Sequence, residues 1–127
     1  MLWQIETAMN FDVAIDARAH FVRIAVTGEP ALGELLSMIH LLGVESETWD
    51  EHRVMVDLRA VRTRFSRPEQ FRIGEEAAAS LSHMEKIASV VPPERITRMS
   101  EKAAQRNGVN VRVFDDERAA IVWLQEP

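Results

Sequence analysis

The feature of this sequence that most limits its fold is a repeated switch between two hydrophobic periods. HFVRIAVTG (20–28) alternates apolar and polar side chains, as a half-buried strand does. Leu32, Leu35, Leu36, Ile39 and Leu42 then recur at helical spacing and share one stripe. RVMVDL (53–58) is a short β-rich run of the kind that fills a buried central strand. Residues 66–82 return to the helical period, with Phe71, Gly74, Ala78 and Leu81 on one face, and KIASVV (86–91) returns to strand. A helix opened by Pro92 and Pro93 carries Ile96, Met99 and Ala103 inward. VNVRVF (109–114) is the last strand, and the chain closes on a helix whose pairs Ala119–Trp123 and Ala120–Leu124 face the core.

FDVAID (11–16), separated from the next strand by residues 17–19, adds a hairpin at the front. The order β-β-α-β-α-β-α-β-α requires right-handed crossovers. The expected fold is therefore α/β, one domain over residues 1–127. Its sheet has about five strands, mostly parallel with one antiparallel edge strand, accompanied by about four helices. Residues 1–10 read as an arm or a further edge strand. Leu2, Trp3 and Ile5 make this arm apolar enough to need cover, from a sheet edge or from a second subunit.

Punctuation agrees with the periods. Pro30 opens the first helix and Gly43 marks its stop. SRPE (66–69) is a capping box, in which the Ser66 hydroxyl accepts from the Glu69 N–H and Glu69 reaches back. Asn107-Gly108 ends the third helix, and Asp115 or Asp116 caps the fourth.

Composition removes several classes of function. The chain has no cysteine, which excludes a thiol nucleophile, a disulfide framework and Cys-ligated metal. A net charge of −5 argues against nucleic acid as a partner. The most apolar run, LLSMIHLLGV (35–44), is half the length of a membrane span. MLWQIE at the N-terminus has no secretory pattern, so the expected location is the cytoplasm. No P-loop, dinucleotide fingerprint or nucleophile elbow is present, so neither a cofactor nor a catalytic residue is assigned. His20, His40, His52 and His83 lack metal-ligand spacing, so no metal site is assigned either.

Charge is unevenly placed. Between residues 53 and 72 six arginines face two acids, Asp57 and Glu69, which leaves an acidic remainder. Arg59, Arg62, Arg64 and Arg67 follow the carboxyl end of a central strand and precede a helix start, with Ser66 among them. That is where open α/β sheets present ligands, and guanidinium forks suit phosphate or carboxylate. The cluster reads either as a face for an anion or acidic protein partner, or as a solvated loop paired with the acids of residues 45–51. Asp57 is a turn former or arginine partner, and a general base only if something assembles around it. Trp123 belongs to the core. Trp3 and Trp49 either anchor a partner or pack over a sheet edge.

Three segments carry a resemblance. VMVDL (54–58), EKIASVV (85–91) and GVNVRVFDDERAAIVWL (108–124) together resemble the SpoIIAA-like, STAS/SEC14-type branch of the STAS superfamily. The last segment looks like that family's closing pattern of strand, acidic cap and Ala-rich helix ending in Trp-Leu. The resemblance implies a non-enzymatic regulatory or protein-interaction module whose partner face includes the loop after Asp57-Leu58; the apolar arm adds a homodimer as the expected alternative to an edge strand as its cover. In anti-sigma-factor antagonists that loop holds an Asp-Ser-Ser-Gly-like phosphorylation turn. Here it reads RAVRTRFSRPE, so Ser66 stands in the neighbourhood without the motif. The analogy to SEC14-type carriers implies, as an alternative, a small anionic or lipid-like ligand.

Overall fold

The computed structural model describes residues 10–127 in full and residues 2–6 by their backbone. Six strands form one sheet among the described residues: β1 (Leu2–Glu6), β2 (Phe11–Arg18), β3 (Phe21–Gly28), β4 (Arg53–Val61), β5 (Lys86–Val90) and β6 (Val111–Phe114). They lie side by side in sequence order. β2 pairs antiparallel with both β1 and β3, while β3, β4, β5 and β6 are parallel neighbours. The strand that runs against the others is thus β2, one place in from the edge, because Leu2–Glu6 adds a strand outside it.

Sequential order decides where the helices go. Each right-handed crossover steps the same way along the sheet, so α1 (Leu32–Ser46), α2 (Arg67–Ser80) and α3 (Met99–Arg106) are laid on one face. Among the described residues only α4 (Glu117–Gln125), which follows β6, covers the other. Two cores result. The larger gathers Val13, Ile15, Ile24, Val54 and Ile87 of the sheet with Leu35, Met38 and Leu42 of α1, Ala78 of α2 and Ala104 of α3. The smaller holds Phe21, Met55, Ala88 and Val90 against Ala120, Trp123 and Leu124 of α4.

Several boundaries move for physical reasons. β4 extends three residues past Leu58 and carries a bulge opposite Ala25–Thr27, which returns Val61 to the larger core. Gly43 is not a helix stop: α1 runs on to Ser46, and a Cβ at Gly43 would stand 2.3 Å from the Ser80 carbonyl of α2. Gly74 serves the same purpose between α2 and α3, where a Cβ would meet the Ser100 carbonyl at 2.3 Å. Pro92 and Pro93 open no long helix. They lead into a single 3-10 turn, Pro93–Arg95, and α3 starts later, after Arg98 in the left-handed region (φ 62°). Ala119 is exposed, so the inward residues of α4 are Ala120, Trp123 and Leu124. The anticipated caps at Ser66 and Asp116 are formed: Ser66 Oγ accepts from Glu69 N at 3.3 Å, and Asp116 Oδ2 accepts from Ala119 N at 3.2 Å.

Candidate functional site

The loop between β4 and α2 is fixed at several points. Arg62 N donates to the Gly28 carbonyl at 2.7 Å, Thr63 Oγ1 to the Pro30 carbonyl at 2.7 Å, and Gln70 Nε2 to the Phe65 carbonyl at 2.9 Å. Gly28 makes the first of these possible. Its φ of +106° favours glycine, and a Cβ there would stand 2.1 Å from the Asn10 carbonyl. With its backbone tied down, the loop turns Arg62, Arg64, Ser66 and Arg67 to solvent at the carboxyl end of the parallel strands.

The five sequence-selected residues are not one cluster. Arg62 pairs with Glu29 at 3.1 Å, both side chains well exposed. Ser66 closes the capping box, its N–H donating to Glu69 Oε1 at 2.8 Å. Arg67 is the first residue of α2, and Arg64 stands beside a cavity described below. Arg59 is elsewhere. It lies within β4 and on the α4 side of the sheet, since the strand alternation that buries Met55 against α4 also directs Asp57 and Arg59 there. The acids of residues 45–51 lie at the amino end of β4, and no ion pair among the described residues joins them to the arginine loop.

On the α4 side the fold builds an ion-pair network that the sequence reading missed. Arg59 Nη2 reaches Asp57 Oδ2 at 2.9 Å and Glu117 Oε1 at 2.5 Å, while Arg23 Nη2 reaches Asp57 at 2.6 Å and Glu117 at 3.1 Å. Two guanidiniums and two carboxylates thus alternate across β3, β4 and the first residue of α4. The Arg23 hydrogen bond holds the Glu117 carboxyl below its ordinary pKa against the opposing effect of burial. Burial opposes the charge on Asp57 as well, but the hydrogen bonds and charge of Arg59, with the charge of Arg23, outweigh it and lower that pKa too. Asp57 is therefore an arginine partner held ionised, with no poise toward accepting a proton.

The cavity lies between the helix layer and the carboxyl ends of β4 and β5, with a volume of about 220 Å³. Its buried wall includes Leu35, Val61 and Val113, its half-buried wall Phe65 and Ile73, and its exposed rim Arg64, Thr97 and Arg98. Arg95 forms part of the wall, with Nη1 donating to the Val61 carbonyl and Nε buried without a hydrogen-bond partner. Arg98 Nη1 donates to Glu101 Oε2 at 2.8 Å and to the Val113 carbonyl at 3.2 Å. Glu94 is the single acid of the lining. Sequence reasoning concentrated on residues 53–72 and passed over Arg95 and Arg98. The available signal was their place directly after the carboxyl end of β5.

The other sequence candidates lie apart. His83 Nε2 is 2.8 Å from the buried Ser46 hydroxyl, between α1 and the end of α2, and His20 stands in the β2–β3 turn with φ 73°. Among the described residues no three His, Asp or Glu side chains converge as a metal site. Among the described residues no helix is long and apolar enough to cross a membrane. Trp123 is core, as expected, and Trp49 packs half-buried against the larger core. The side chain of Trp3 lies outside the described residues.

Comparison with known proteins places the fold. A crystal structure of an anti-sigma factor antagonist from Mycobacterium paratuberculosis superposes with a TM-score of 0.61 at 12% identity, covering 96% of this chain and all of that one. An uncharacterized protein with a SpoIIAA-like fold from Shewanella loihica superposes with a TM-score of 0.58, also at 12% identity, over 94% of this chain and 98% of that one. A search of curated proteins returns no significant match. The family profile described as SpoIIAA-like matches residues 21–125, from the first residue of β3 to the last of α4. The chain belongs to the SpoIIAA-like family.

Proposed function

We propose that this protein is a non-enzymatic regulatory module of the STAS type, acting by docking a protein partner with an acidic surface on the carboxyl end of its sheet. The observation that carries this reading is the exposed row Arg62, Arg64 and Arg67 around the capped start of α2. Among these, Arg64 and Arg67 have no ion pair among the described residues. The likeness to a solved anti-sigma factor antagonist supports a role in protein–protein regulation. Ser66 stands in the middle of the face, where a phosphate would meet both the α2 N-terminus and neighbouring guanidiniums. Arg59 takes a different part, holding α4 to the sheet. A second copy of the chain is the other protein partner this reading admits, pairing along the outer edge of β1, since an unpaired strand edge is a template for another strand.

The test is affinity capture from the native host with the wild-type chain and with Arg62→Glu/Arg64→Glu, both checked for an unchanged circular dichroism spectrum. The expected result is loss of a specific acidic partner by the double variant. Capture of the same partners in the same amounts by both proteins overturns the reading.

A further inference from the structure

We infer that the 220 Å³ cavity at the carboxyl ends of β4 and β5 is a binding site for a small amphipathic anion, a carboxylate or phosphate ester on a short apolar tail. The division of its lining argues for that class. The buried wall is aliphatic and aromatic, from Leu35, Val61, Ile73 and Val113, and favours a tail that leaves water. The cationic groups are Arg64 and Arg98 at the rim and Arg95 in the wall; Glu94 is the acid of the lining, and Glu101 behind it already pairs with Arg98, which leaves Arg64 and Arg95 without an ion pair among the described residues. Arg64 has no hydrogen bond or ion pair among the described residues, so its fork is open to an acid group. The Arg95 guanidinium is anchored through Nη1 but leaves Nε buried and without an acceptor.

Size sets the tail length. The volume is below the range of roughly 300–1,000 Å³ typical of sites for drug-sized ligands, so a short chain fits and a membrane-lipid acyl chain does not. Position agrees with chemistry: strands deliver ligands at their carboxyl ends, and here three helices crossing on one face leave the gap between helix layer and sheet. This site goes beyond the docking role proposed above, and only Arg64 is common to both.

The experiment is a ¹H–¹⁵N chemical-shift titration of the whole chain with hexanoate, hexyl phosphate, hexanol and inorganic phosphate. Hexanoate, hexyl phosphate or both are expected to give saturable shifts at Thr63, Ser89, Thr97 and Ser100. Hexanol and inorganic phosphate should bind at least about ten-fold more weakly, because each lacks one half of the recognition. Arg95→Gln should weaken the acid by about ten-fold. Ile73→Trp, which fills the cavity and keeps every arginine, should abolish binding while partner capture persists. Should Arg95→Gln fail to fold, Arg64→Gln tests the charge requirement alone. Absence of saturable shifts with both acids overturns the proposal. So does equal binding of hexanol, or undiminished binding by a folded Ile73→Trp. A preference of hexanoate over hexyl phosphate, or the reverse, identifies the head group.

Discussion

At the scale of single residues, the most informative side chains are those whose charge is spent inside the molecule. Arg23, Asp57, Arg59 and Glu117 form a closed alternation of charge, and it joins the first residue of α4 to β3 and β4. Both carboxyls have lowered pKa values in the folded chain. A carboxyl whose folded pKa lies below its unfolded one adds stability above the unfolded value, and that stability is lost as pH falls through the folded value. The network should therefore contribute fully at neutral pH and disappear below the ordinary carboxylate range. Glu117→Gln removes one acid and leaves its shape. The variant is expected to be less stable than wild type in urea at pH 7, with a gap that narrows as pH falls through and below the ordinary carboxylate range. A gap that stays constant across that range would mean that Glu117 acts through packing. The sequence marked Asp57 as a turn former or arginine partner, but the pairing across the fold was not legible. Arg23 and Glu117 are 94 positions apart, and periodicity carries no information on which charges a sheet and a distant helix bring together.

At the scale of elements, much was readable because local chemistry decides it. The capping boxes and acidic caps act over three residues, and SRPE produces the bonds that its spacing implies. What misled were residues whose local meaning is overridden by a neighbour. Gly43 reads as a helix stop, yet the chain uses it mid-helix so that α2 can approach. Pro92-Pro93 reads as a helix start, yet the backbone forms one 3-10 turn and then spends a left-handed Arg98 before α3 can begin. That delay leaves Arg95 and Arg98 beside the cavity, where a continuous helix from Pro92 would have given this segment different side-chain directions. Ser66 is the element-scale residue that separates two roles. Ser66→Ala should lower stability by about 1 kcal/mol, read by thermal or chemical denaturation, because Glu69 N–H loses its acceptor. Ser66→Asp retains a capping oxygen and should lose little. If Ser66→Asp also alters partner affinity while Ser66→Ala does not, a charge at this position acts as a switch. If neither alters affinity, the cap accounts for the residue.

At the scale of the whole molecule, alternation of periods was enough to give the α/β class and the parallel sheet, since right-handed crossovers admit few arrangements. Sequential strand order was not readable, and it has the larger consequence. With no reversal of direction among β3–β6, all crossing helices share a face, and the crevice opens between that layer and the sheet. The same order sets which loops share an end of the sheet: the acids of residues 45–51 lie at the amino end of β4, and Arg62, Arg64 and Arg67 lie at its carboxyl end. A local group of exposed arginines steers an acidic partner toward its loop, and exposed charges of this kind act mainly on the association rate. Screening shortens their reach to roughly 10 Å at 0.1 M salt and less above it. Association of the captured partner, followed by stopped-flow or surface plasmon resonance, should therefore slow several-fold as sodium chloride rises from about 0.05 to 0.5 M, with little change in dissociation. In Arg62→Glu/Arg64→Glu the rate at low salt should fall and its salt dependence should flatten or reverse. A wild-type association rate indifferent to salt would place the partner's contact away from the arginine end of the sheet.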